Sequence, residues 1–249
     1  MTLRFPFARL VLASALLAST TGIFAATSPA TASAQNDTAP DAATIRATMK
    51  TATQFMVDKV STNGGYVWSY LPDFSRRWGE LEAKPSMIWV QPPGTATMGH
   101  LFMDAWHATG DDLYYRAAAV ATDAVLRGEK PKGGWNYFND FDGPESTAEW
   151  YATIGRNAWR MEEFQHDWDN ATFDDVGTGE TMQLILRMAE ADRDPRYLDA
   201  ARRSVDFVLA SQYDNGGWPQ RWPVQKPFNH HGHADYTGYT PQNPAALVV

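Results

Sequence analysis

The chain of 249 residues contains no cysteine, which excludes disulfides, thiolate zinc sites, a cysteine nucleophile and a lipidated cysteine. Basic residues are also in deficit: 21 Lys and Arg stand against 29 Asp and Glu, for a formal net charge of −8. A nucleic-acid binder needs a cationic surface to displace counterions from phosphates, so that class is set aside. Beyond the N-terminal segment no run approaches the roughly 20 apolar residues that a membrane helix needs. Long alternating strands, a serine-nucleophile signature and a phosphate-binding glycine loop are missing as well. What remains is 44% apolar and 13% aromatic, enough to bury a core and fold.

The first 34 residues read as a secretory signal peptide. Arg4 and Arg9 precede an apolar run from Leu10 to about Ala26, and Ala32-Ser33-Ala34 supplies a small-residue cleavage site. A membrane helix is the competing reading, but Ser14, Ser19, Thr20, Thr21 and Gly22 interrupt the run. Residues 35–40 read as a disordered lead-in. The mature protein is therefore expected to be secreted or periplasmic, with no membrane partner and with calcium available to it.

The mature chain repeats itself. An offset of 83 positions aligns Gly94–Trp135 with Gly177–Trp218 without a gap, and about a third of the aligned residues are identical. Each copy predicts two helices. Met182, Ile185, Leu186 and Ala189 recur at helical spacing, and Tyr197, Ala201, Val205, Val208 and Leu209 make a second stripe. Asp194-Pro195 is a helix start, and the glycine pairs before Trp135 and Trp218 are stops. A weaker copy of the ending stands at Asn63-Gly64-Gly65-Tyr66. It follows a predicted helix from Asp41 to Val60 that carries Ile45, Met49, Phe55 and Met56. Helical hairpins repeated in this way predict an all-α fold, an incomplete (α/α) toroid over residues 41–240, with loops at one rim forming a cleft. An open solenoid is the alternative, but its usual unit is about half as long. The stretch from Asp140 to Asp175 lacks periodicity and reads as a binding loop or disorder.

An acidic knot comprises Asp167, Asp169, Asp174 and Asp175, followed by Glu180. Clustered carboxylates can hold a hard cation through oxygen, or supply an acid and a base. They can equally form a solvated loop that favours the positive end of the following helix. Trp135 and Trp218 occupy equivalent places and read first as seals between hairpins. Trp222 and Arg221 are better candidates for touching a ligand. Arg76-Arg77-Trp78 and Trp89-Val90-Gln91-Pro92-Pro93 are placed on the same rim. His230, His231 and His233 could bind a transition metal, but no metal-site spacing frames them, and a polar loop is the simpler reading.

Three segments together carry a resemblance. Ala171-Thr172-Phe173-Asp174-Asp175, Asp194-Pro195-Arg196-Tyr197 and Gln212 through Gln220, with its Asn-Gly-Gly-Trp-Pro-Gln core, resemble the pectic acid lyases, polysaccharide lyase family ten. The resemblance implies calcium-assisted β-elimination on polygalacturonate. It also implies Asp174 and Asp175 as calcium ligands, and Trp218, Gln220, Arg221 and Trp222 as substrate contacts. A cation on the uronate carboxylate would ease removal of the neighbouring C5 proton and bridge an acidic protein to an acidic polymer. The family pattern goes on to a Thr-Phe-Asn-Asp element and a catalytic arginine, neither of which occurs here. The expectation is a truncated product with 241–249 as an atypical tail, and no catalytic base is assigned. A glycoside hydrolase using Asp174 and Glu180 and a non-catalytic uronate-binding protein are the competing readings. A monomer is expected.

Overall fold

The computed structural model describes residues 39–158, 162–192, 194–214 and 216–223. The expected signal peptide, the three histidines and the tail 241–249 lie outside them. All described elements from Pro40 onward belong to one unit, and it is mostly helical. Helix α1 (Ala42–Phe55) runs into a π-turn over Met56–Val60. Two hairpins follow, α2 (Thr95–Thr109) with α3 (Asp112–Leu126), and α5 (Gly177–Asp192) with α6 (Pro195–Ser211). Between them lies α4 (Pro144–Thr153).

The hairpins form where the sequence places caps. Asp111 Oδ1 accepts from the Leu113 N–H at 2.9 Å, and Asp194 Oδ1 accepts from the Arg196 N–H at 2.8 Å, satisfying donors at the starts of α3 and α6. Gly110 closes α2 with φ 70°, a left-handed position that glycine adopts without steric cost.

Short strands, absent from the all-helical expectation, clasp each hairpin. A three-stranded antiparallel sheet joins β1 (Ser69–Tyr70), β2 (Arg77–Trp78) and β3 (Glu82–Ala83). Strand β4 (Met87–Trp89) pairs antiparallel with β5 (Phe138–Asp140), and β6 (Ala171–Thr172) pairs with β7 (Arg221–Trp222). In both cases the strand before the first helix pairs with the strand after the glycine-tryptophan turn. At two or three residues each, these strands are too short to leave an alternation in the sequence.

The repeat extends to single bonds. Trp135 Nε1 donates to the Val125 carbonyl, and Trp218 Nε1 donates to the equivalent Val208 carbonyl, both at 2.8 Å. The Thr178 hydroxyl accepts from the Trp135 N–H and donates to its carbonyl, at 3.2 and 3.3 Å. The Thr95 hydroxyl does the same for Tyr66, at 3.0 and 3.1 Å. The weak copy at Asn63–Tyr66 is therefore held by the device that holds the strong one.

Phe102, Met103, Leu184, Ile185 and Met188 fill the core between the hairpins, with Ala118 and Ala200 fully buried beside them. Each buried large side chain contributes about 1.5–3 kcal/mol. Two apolar stripes stay open. On α1, Ile45 and Phe55 are exposed, and Thr53 is the residue it buries. On α6, Leu198, Val205 and Leu209 are exposed, whereas of their equivalents on α3 Thr122 is buried and Tyr115 and Leu126 are half-buried.

The described part of the stretch from Asp140 to Asp175 is neither bare loop nor disorder. It carries α4 and short 3-10 turns, and it supplies a second core in which Trp150 and Phe164 are fully buried around Trp89, Tyr137 and Phe138. Large aromatic side chains make that core without helical periodicity, because each buries enough area to need few neighbours in register.

Candidate functional site

Asp174 and Asp175 sit where β6 turns into α5. The chain leaves Thr172, whose Oγ1 accepts from the Asp174 N–H at 2.9 Å, and makes a tight 3-10 turn over Asp174–Val176. Asp175 and Val176 both have positive φ, 48° and 60°. For a β-branched valine this is a strained backbone, and such strain costs about 1–3 kcal/mol and gathers at functional sites. The turn leaves Asp175 exposed and Asp174 half-buried.

Both carboxylates are held from the first repeat. Tyr137, just before β5, donates its hydroxyl to Asp174 Oδ2 at 2.7 Å. Gln91, just after β4, donates its amide to Asp175 Oδ2 at 2.6 Å and to Glu80 Oε2 at 3.0 Å. The Gln91 amide is itself oriented, since Oε1 accepts from Trp89 Nε1 at 2.9 Å. Three carboxylates thus gather around one buried amide and one buried phenol.

Among the described residues, none of the three carboxylates takes part in an ion pair. Burial, with a further push from Asp174 and opposed by the Gln91 bond, raises the Asp175 carboxyl above its ordinary value. Glu80 is raised by burial, against the Gln91 bond, with added repulsion from Asp175 and Asp174. Glu163 is pushed up to about 7, chiefly by burial and also by Asp174 and Glu80, with Arg221 opposing. Burial also holds Tyr137 well above the ordinary phenol range, so it remains a proton donor to Asp174 at neutral pH.

The turn that follows α6 packs beside this cluster. The Phe173 N–H donates to the Gln220 carbonyl at 2.8 Å, one residue from Asp174. Trp218 is half-buried and sealed to Val208, and Trp222 lies edge-on to Phe207, 5.7 Å between ring centroids. Arg221 is fully buried. Its Nη2 donates to Asn136 Oδ1 at 2.8 Å, and its Nε donates to Asn170 Oδ1 at 3.1 Å. The sequence suggested Arg221 for ligand contact; its guanidinium instead faces the interior, because β7 alternates and pairs with the buried β6.

Residues 144–238 match the family model of the pectic acid lyases. The pectic acid lyase match takes in α4, the turn with Asp174 and Asp175, the second hairpin and the segment Trp218–Trp222. No curated protein matches the chain. Among solved structures, a GH76 alpha-mannanase from Bacteroides thetaiotaomicron is similar at 18% identity and a TM-score of 0.38, over 60% of this chain and 34% of that one. The chain thus spans about a third of that protein's length.

The acidic knot seen in the sequence divides in the structure. Asp169 reaches Lys130 at 3.3 Å, and Asp167 lines a separate groove with Tyr151 and Arg156. Glu180 accepts from the Thr97 hydroxyl at 2.6 Å. It shares with Asp175, His100 and Arg187 the wall of a cleft of about 420 Å³. Glu80 and Glu163 carry no motif in the sequence, whereas Asn136-Tyr137-Phe138, after the first glycine-tryptophan turn, offers polar and aromatic groups for a sugar face; the structure instead buries Asn136 and Tyr137 behind Asp174. Gln91 had a signal: the offset of 83 places it opposite Asp174, so equivalent positions of the two repeats converge on one spot.

The donor set suits a hard cation in kind. Asp174 and Asp175 offer only oxygen, and the raised carboxyls beside them mark negative charge that a divalent ion would relieve. Among the described residues no three His, Asp or Glu side chains converge into a preformed cage. A cation here would take two carboxylates from the protein and its other oxygens from water and ligand.

Proposed function

We propose that this chain is a secreted or periplasmic pectate lyase-type protein, built on part of an (α/α) toroid. It would bind polygalacturonate through calcium at Asp174 and Asp175 and act by β-elimination. The observation that carries the reading is the pectic acid lyase match across the segment that holds these aspartates, with Asp175 exposed at the rim. Bound there, calcium would supply charge neutralisation at the uronate carboxylate next to the proton that is removed. The protein's part is orientation: Tyr137 holds Asp174, and Gln91 holds Asp175 against the repulsion of Glu80. No described residue is assigned as the base. The full chain is expected to take part as a monomer.

The test is incubation of the purified protein with polygalacturonate, with calcium and with chelator. Ultraviolet-absorbing unsaturated product that disappears with chelator supports elimination. Reducing ends without that absorbance would instead indicate hydrolysis, and calcium-dependent retention on polygalacturonate without either product would indicate a binding protein.

A further inference from the structure

We infer that Arg221 is a positioning residue: from inside the fold, through Asn136 and Tyr137, it fixes the carboxylate of Asp174 for cation binding. The inference rests on the calcium reading above and adds to it a residue that does not touch the ligand.

The connection is continuous. Arg221 Nη2 donates to Asn136 Oδ1 at 2.8 Å, and the same oxygen accepts from the Tyr137 N–H at 2.9 Å. Asn136 is turned the right way for this by its own amide, which donates to the Tyr151 hydroxyl at 3.2 Å. The Arg221 guanidinium also lies over the Tyr137 ring, 5.1 Å from its centroid. Tyr137 then donates to Asp174 Oδ2 at 2.7 Å. Asn136, Tyr137, Asn170 and Arg221 are all at most 5% exposed, so little freedom is left in the chain of contacts.

A cation buried this deeply is costly unless its donors are met, and a surface ligand contact would not require the burial. The planar fork of arginine meets both Asn136 and Asn170 while its face covers the Tyr137 ring. Lysine carries the charge but cannot make that arrangement. The second repeat's turn supplies Arg221, the first repeat's turn supplies Asn136 and Tyr137, and β6 between them ends at Thr172, just before the turn that carries Asp174. Ordering one carboxylate oxygen before the ligand arrives removes an entropy cost from binding.

The experiment is calorimetric titration of calcium into the full chain and into Tyr137→Phe, Arg221→Met, Arg221→Lys and the Tyr137→Phe/Arg221→Met double variant. Asp174→Asn serves as a control. Tyr137→Phe keeps the ring and the core, so it tests the inference even if Arg221→Met fails to fold. The expected result is a loss of calcium affinity of about tenfold in Tyr137→Phe, the scale of one charge-assisted hydrogen bond. Arg221→Met should fall by a similar factor, Arg221→Lys should not restore it, and the double variant should be little worse than either single one. A merely structural Arg221 would lower the melting temperature and leave the affinity of the folded protein unchanged. Unaltered affinity in Tyr137→Phe, or factors that multiply in the double variant, overturns the inference. If Asp174→Asn weakens binding while Tyr137→Phe does not, this inference alone fails. If the unsubstituted chain takes up no calcium, the calcium reading fails and this inference with it.

Discussion

Replacing Glu163 by glutamine should make the protein more stable in alkaline solution and leave it unchanged in acid. Burial and the charges of Asp174 and Glu80 raise this carboxyl from an ordinary 4.5 to about 7. At about 1.4 kcal/mol per unit, ionising it in the folded state costs up to about 3 kcal/mol more than in the unfolded chain. Partial exposure screens that charge, which leaves about 1–2 kcal/mol. The folded state holds the proton more tightly, so the cost is nil below the unfolded value, grows as pH rises through the interval from 4.5 to about 7, and is complete above it. Urea unfolding of both proteins with chelator present, at about pH 4 and about pH 8, reads the difference without adding ionic screening. Glu163→Gln should match the parent at the lower pH and exceed it at the higher. Calcium added at the higher pH should narrow the gap by neutralising the charges that face Glu163. A gap that is the same at both pH values, or that favours the parent in alkali, would refute the electrostatic account.

Two further outcomes test the fold. Trp135→Phe should cost about 2–3 kcal/mol in denaturant unfolding, because it opens a void around a fully buried ring and removes one of the donors to the Val125 carbonyl, which keeps the Gly128 N–H at 2.9 Å. Trp218→Phe should cost about half as much, since that ring is only half-buried. Gly79→Ala should lower the unfolding midpoint markedly, by about 2 kcal/mol or more, because the added methyl would lie 1.9 Å from the buried Trp89 ring.

The parts of the fold legible in the sequence are those with a local signal. Asp111 and Asp194 cap α3 and α6 through their own backbone neighbours, so the hairpins could be read from spacing. The 83-residue offset carried the repeat, because Trp135 and Trp218 each bond a carbonyl ten residues back, on the helix that precedes their turn. Burial is another matter. Ile45 and Phe55 have the spacing of a buried stripe yet stay exposed, because periodicity says which face is apolar and not whether anything covers it.

By itself, then, the sequence determined the helical repeat, its caps and seals, the pair Asp174–Asp175 and the resemblance that the 144–238 match bears out. Only the tertiary structure decided what surrounds that pair. Tyr137 and Gln91 reach it across 37 and 84 residues of sequence, and Glu80 joins through its bond with Gln91, by way of strands too short to leave a pattern. Arg221 was visible as a charge, but its inward direction depends on pairing with β6. Hydrogen bonds between distant residues depend on how the hairpins stack, and no window of local sequence contains that information.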